Sequence, residues 1–141
     1  MSTQLALNGE LRKLIEARME QTLRGIEDTL KRILQHQELS LEDLKTVIQS
    51  LEESFTLLSK KWNLEILYTL FLKNTLGFSS LKKILGVNSR TLSDKLKSLK
   101  THGYIERRVE TGPPLRVEYY LTTKGKNTVL LALHLLYYSA V

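Results

Sequence analysis

The chain has 141 residues, 42% hydrophobic and 26% charged, with a formal net charge of +6 and no cysteine. That length fits one domain plus extensions around a modest core, and the composition is that of a globular protein rather than a disordered one. The missing cysteine excludes disulfides, thiolate metal ligands and cysteine nucleophiles.

The first ten residues, "MSTQLALNGE", have neither the basic start nor the apolar run of a signal peptide, so a cytoplasmic protein is expected. Asn8 is placed to cap a helix whose apolar residues are Leu11, Ile15, Met19, Leu23, Ile26, Leu30 and Ile33, in steps of three and four. "HQELS" then interrupts the pattern. Ser40 with Asp43 three residues on forms a capping pair for a second helix. Its apolar residues Leu41, Leu44, Ile48, Leu51, Phe55, Leu58 and Trp62 alternate steps of three and four, as a coiled-coil seam requires. Residues 1–59 thus read as a helical extension. Its two helices can close on each other as a hairpin or pair with another subunit, and the sequence does not choose.

Trp62, Leu64, Ile66, Leu67, Leu70 and Phe71 cover most of a helix circumference, which marks a central core helix. Trp62 reads as a core anchor rather than a ligand platform. "TLGF" makes a turn or a short strand. Ser79 is expected to cap a short helix, "SLKKIL", that stops at Gly86. Asn88 caps the next helix, from Ser89 to about Thr101, and Gly103 closes it. With Leu92 at the centre of the buried face, Leu96 and Leu99 fall within about 40° of it at roughly 100° per residue. Arg90, Asp94, Lys97 and Thr101 then point away, with Ser93 and Lys100 on one flank. This is helix-turn-helix geometry, with residues 89–100 as the helix that enters the major groove of double-stranded DNA.

"YIERRVE" and "LRVEYYLT" alternate as two strands, with Ile105, Val109, Val117, Tyr119 and Leu121 inward. The "TGPP" between them makes a stiff turn. A hairpin over residues 104–122, directly after a basic helix, is a wing that lies on the DNA backbone or in the minor groove. The expected fold is mainly α with a small β-hairpin wing: a winged helix-turn-helix over residues 60–126, flanked by long N-terminal helices and a C-terminal helix. Charge placement agrees. Lys60 to Lys126 holds fourteen Lys/Arg against five Asp/Glu, whereas Met1 to Ser59 holds seven against ten. Basic charge gathered in one segment suits a polyanion-binding module. The final stretch, residues 127–141, is apolar but shorter than the roughly 20 residues of a membrane span. It reads as a dimerisation helix.

The stretches "KWNLEILYTL", "FSSLKKILGVNSRTLSDKLKSLKTHGYIER" and "PPLRVEYYLTTKGK" resemble the HxlR family of winged helix-turn-helix transcriptional regulators, within the MarR-like group. The resemblance covers roughly residues 55–130. It is carried by Lys61-Trp62, by Leu92, Leu96 and Leu99 before Gly103, and by the run from Pro114 through Arg116 to Leu121-Thr122 and Lys124-Gly125. It implies a homodimeric, sequence-specific transcription factor whose subunits meet through terminal helices. Ser59-Lys60 stand where the family often carries a glycine pair, so the preceding helix is free to continue or to break there.

The candidate DNA-binding residues are Ser89, Arg90, Thr91, Ser93, Asp94, Lys97, Arg108 and Arg116. Asp94 can accept from a cytosine amino group or orient Arg90 one turn earlier, and the second reading is favoured. Arg107 and Arg108 point to opposite faces of a strand, so at most one meets phosphate. The candidate dimer interface is Leu41, Leu44, Ile48, Leu51, Leu131, Leu135 and Tyr138. His36, His102 and His134 lack metal-ligand spacing, and no phosphate loop or nucleophile motif occurs. No catalysis, cofactor or metal is expected, and no residue pattern supports a small-molecule effector. Two other readings share these features: a winged-helix scaffold that binds protein, and a weakly specific protein that coats DNA. Cations on both helix and wing favour the sequence-specific regulator.

Overall fold

The computed structural model describes residues 9–139. Asn8, the expected first cap, lies outside them, and so do the side chains of Leu11 and of Leu136 to Ser139, including Tyr138 of the expected interface. The elements are α1 (Gly9–His36), α2 (Leu41–Ser59), α3 (Asn63–Lys73), β1 (Thr75–Gly77), α4 (Phe78–Leu85), α5 (Ser89–Thr101), β2 (Ile105–Glu110), β3 (Arg116–Leu121) and α6 (Thr123–Ser139). Residues 53–133 form one compact unit, and the rest of the described chain forms another. No helix among the described residues is long and apolar enough to cross a membrane.

The second unit is α1, α2 as far as Glu52 and the last residues of α6, whereas the end of α2 belongs to the winged unit. The break between α1 and α2 falls at the expected pentapeptide. Ser40 and Asp43 cap α2 reciprocally, with Asp43 N–H donating to Ser40 Oγ at 3.1 Å and Ser40 N–H to Asp43 Oδ2 at 3.2 Å. The seam of α2 stops at Ser59 and does not reach Trp62. Trp62 lies beyond the break at φ 79°, a left-handed conformation that is costly for an aromatic residue. The break is held by Asn63, which is 1% exposed. Its Nδ2 donates at 2.8 Å to the Leu57 carbonyl in the last turn of α2, which also accepts the Lys60 N–H at 3.3 Å.

In the unit of residues 53–133, α3 supplies Ile66, Leu67 and Leu70 to a core shared with Leu81, Leu92, Leu96, Leu99, Ile105 and Val129. Trp62 packs against this core, as expected of an anchor. The segment at residue 75 is a strand, which completes a three-stranded antiparallel sheet in the order β1-β3-β2. It runs straight into α4, which begins at Phe78 from Gly77 with no side-chain cap. Ser79 therefore sits inside the first turn and does not cap. Val109, expected inward, is 42% exposed. The hairpin outruns the helices, so only its Ile105 end meets the core.

Candidate nucleic-acid interface

Gly86 ends α4 at φ 67°, its N–H returning to the Lys82 carbonyl at 2.9 Å. Two residues later Asn88 opens α5 by accepting the Thr91 N–H on Oδ1 at 2.8 Å. The connection is therefore three residues long, with Val87 buried beneath it. Leu92, Leu96 and Leu99 are all buried, and they fix the rotation of α5 about its axis. That rotation leaves Ser89, Arg90, Ser93, Asp94 and Lys97 exposed on one side, with Lys100 on the flank, whereas Thr91 is half-buried at the edge. Asp94 makes no ion pair with Arg90. The favoured orienting role thus has no contact behind it, and both side chains are unengaged toward solvent.

The wing separates the two arginines of β2 by register. Arg108 stands opposite Glu118 on β3. Its Nη2 donates to Glu118 Oε2 at 2.8 Å, its Nε lies 3.8 Å from Glu110, and the guanidinium sits 5.7 Å from the Tyr120 ring centroid. The hydrogen bond it donates to Glu118 outweighs the desolvation and holds the guanidinium pKa above its ordinary value. Arg108 is therefore paired within the hairpin. Arg107, opposite Tyr119, and Arg116, opposite Glu110, are exposed and take part in none of the ion pairs among the described residues. The sequence favoured Arg108 of the two because register across a hairpin cannot be read from one strand. Lys82 and Lys83 on α4 and Arg90, Lys97 and Lys100 on α5 are likewise exposed and outside the ion pairs among the described residues.

A group of contacts that sequence reasoning missed fastens the end of α5 to the head of α6. Thr122 Oγ1 donates to the Gly103 carbonyl at 2.6 Å and accepts the Gly125 N–H at 3.0 Å. Thr122 N–H donates to the Tyr104 carbonyl at 3.1 Å. Lys124 Nζ donates to the His102 carbonyl at 2.8 Å and lies 4.4 Å from the Tyr104 ring centroid. Thr122 thereby caps α6, which begins at Thr123. Gly125 rests on the Tyr104 carbonyl so closely that a Cβ would overlap it. The visible signal was a threonine three residues before a glycine, just after a strand.

Between α3 and the β3–α6 junction opens a cleft of about 440 Å³, lined by Phe71, Asn74, Tyr120 and Lys126 among others. That size suits a small molecule, but the lining holds no buried charged group. Among the described residues no cluster of His, Asp or Glu is placed to hold a metal ion.

Residues 57–138 match the family model described as HxlR-like helix-turn-helix. The helix-turn-helix type transcriptional regulator YdzF of Bacillus subtilis is 35% identical over 77 residues, which are 54% of this chain and 71% of YdzF. A regulator of the same type from Synechocystis is 39% identical over 80 residues, covering 55% of this chain and 59% of the relative. Among solved structures, the reduced form of the transcriptional regulator YodB from B. subtilis superposes with a TM-score of 0.60 at 26% identity, covering 64% of this chain and 88% of that one. A MarR-family regulator from Enterococcus faecalis superposes at 0.59 with 28% identity, covering 72% and 89%.

Proposed function

We propose that this chain, which belongs to the HxlR-like helix-turn-helix family and is a DNA-binding transcriptional regulator, reads an inverted repeat in double-stranded DNA as a homodimer. In this reading α5 enters the major groove, where Arg90 contacts a base edge and Ser89, Thr91, Ser93 and Asp94 complete the surface presented to the bases. Lys97 contacts phosphate, and the wing lies on the backbone or minor groove through Arg116, with Arg107 on the other face of the hairpin. Arg108 keeps the hairpin in shape and contributes less ionic binding, because Glu118 and Glu110 already share its charge.

The observation that carries the reading is the set of uncommitted cations on α5 and the wing, held in one orientation by the buried face of Leu92, Leu96 and Leu99. Cations left unpaired on a rigid scaffold suit a polyanion, whose condensed counterions they release on binding. Dimerisation supplies the second half-site, with recognition helices one DNA turn, about 34 Å, apart. Its supports are the apolar residues Leu41, Leu44, Ile48 and Leu51 on α2 and Leu131 and Leu135 on α6, each 44–69% exposed in the single chain. The chain has no cysteine, so no signal reaches it through a thiol of its own.

Binding-site selection from random duplexes tests this. Recovery of an inverted repeat with half-sites one helical turn apart is the expected result. A flat selection with undiminished affinity would replace the reading with a protein that coats DNA.

A further inference from the structure

The winged unit uses α3 to α6, and the match to the HxlR-like family begins only at residue 57. That leaves α1 outside the winged unit, and among the described residues only Met19 of it is buried. Thirteen large apolar side chains between Leu14 and Phe55, all on α1, α2 or their connection, are 42–69% exposed. At that exposure they present on the order of 1,000 Å² of apolar surface, more than the roughly 300–600 Å² of the largest patch on a typical monomer. It also matches the approximately 800 Å² that each partner buries in a standard interface.

The residues on the two helices are complementary in spacing. Going back along α1, Ile33, Leu30, Ile26 and Leu23 follow steps of three, four and three. Going forward along α2, Leu41, Leu44, Ile48 and Leu51 follow the same steps. Laid antiparallel, the helices therefore stack four layers, Ile33 on Leu41, Leu30 on Leu44, Ile26 on Ile48 and Leu23 on Leu51, as knobs-into-holes packing requires. Within one chain none of these layers is closed, since all eight side chains are at least 42% exposed.

We infer that α1 of each subunit packs antiparallel on α2 of a second copy of this chain, so that the arms are exchanged in the dimer. The inference rests on the homodimer proposed above and says which helix covers the α2 seam. Charge selects this pairing over self-pairing of like helices. Helix α1 holds six Lys/Arg against five Asp/Glu, and α2 holds one against four. Two α2 helices side by side would set acidic faces against each other, whereas α1 on α2 opposes the signs. A twofold axis then gives two such pairings and four helices in one bundle.

The test exploits the absence of native cysteine. Leu30→Cys and Leu44→Cys, layer mates at exposed positions, are made in separately tagged full-length chains, co-expressed, and treated with a short thiol-to-thiol cross-linker. The mixed pair should give a covalent dimer several-fold above either variant alone. Ile26→Cys with Ile48→Cys should repeat the result one layer away. Cross-linking confined to single chains of a Leu30→Cys/Leu44→Cys double variant would overturn the exchange in favour of a hairpin. Dimers formed equally well by Leu30→Cys alone, or by Leu44→Cys alone, would overturn it in favour of like helices pairing. Absence of any cross-link in both layer pairs would leave the arms to a different partner and would equally end the proposal. Sedimentation of the unmodified protein separates the two levels. A dimer without the mixed product loses the exchange alone, and a monomer loses the dimer as well.

Discussion

Gly125→Ala probes how the recognition helix is held against the rest of the unit. In an ordinary helix this change is favourable by up to about 1 kcal/mol, because alanine loses less backbone freedom on folding than glycine. Here the new Cβ would overlap the Tyr104 carbonyl oxygen and stand 3.1 Å from the Tyr104 carbonyl carbon and 3.2 Å from Leu121 Cδ2. The first two of these atoms are backbone, so no rotamer change clears them. Ordinary carbon contacts need roughly 3.5 Å or more, so the head of α6 must withdraw by about 1 Å. Withdrawal lengthens the bonds from Thr122 to Gly103 and from Lys124 to His102, each worth about 0.5–1.5 kcal/mol. Overpacking in such places costs about 1–3 kcal/mol, so the helical gain is outweighed and a net loss of about 2 kcal/mol is expected. For a chain of this length that lowers the melting temperature by roughly 5–8 °C. Thermal unfolding by circular dichroism, at matched subunit concentration because dimers melt concentration-dependently, measures it. A melting temperature equal to or above that of the unmodified protein would refute the close approach of α6 to Tyr104.

Arg90→Ala should cost about 1–3 kcal/mol on the selected site and relax preference at one base position; an equal loss on random DNA would reduce Arg90 to a phosphate contact. Arg116→Ala should weaken binding to all sequences alike and make the salt dependence shallower by about one unit. Arg108→Ala should change that slope less, and a larger change there than at Arg116 would contradict the internal pairing of Arg108. Asn63→Ala should lower stability by about 0.5–1.5 kcal/mol, since it removes the buried amide's bond and leaves the Leu57 carbonyl with only the longer bond from the Lys60 N–H, and an unchanged urea midpoint would show that water replaces the amide. Leu131→Glu with Leu135→Glu should shift sedimentation toward monomer and weaken binding to a full palindrome far more than to a half-site. A stable dimer in that variant would remove α6 from the interface.

The parts of the fold that the sequence made legible are those fixed by local rules. The rotation of α5 followed from three leucines at helical spacing, and its ends from Asn88 and Gly103, because capping and glycine stops act within a turn. What stayed hidden depends on partners distant in the chain. The pairing of Arg108 with Glu118 needs the register of a hairpin. The start of α4 at Phe78 needs the strand pairing of Gly77 with Glu118. The end of α2 at Ser59 needs Asn63 to reach back six residues to Leu57, whereas the heptad pattern alone ran on through Trp62. Val109 shows the converse: alternation places a side chain on a face but does not say whether anything covers it.

The division of charge in the chain has a physical consequence for how the two units meet their partners. On α1 and α2 three ion pairs are local, with Arg24 to Glu20 and Lys31 to Glu27 four residues apart and Lys45 to Glu42 three. Such pairs are exposed and worth only a few tenths of a kcal/mol each. They nevertheless cancel much of the field around the arms, so recognition there falls to the apolar layers and their spacing. On α4, α5 and the wing the arrangement is reversed, with cations left unpaired in a segment where basic residues outnumber acidic ones fourteen to five. Unpaired like charges repel one another in the folded unit, a stability cost that DNA relieves on binding. DNA binding should therefore raise the melting temperature of the winged unit, most at low salt. Changes confined to the arm layers should alter assembly while leaving the salt dependence of half-site binding as it was.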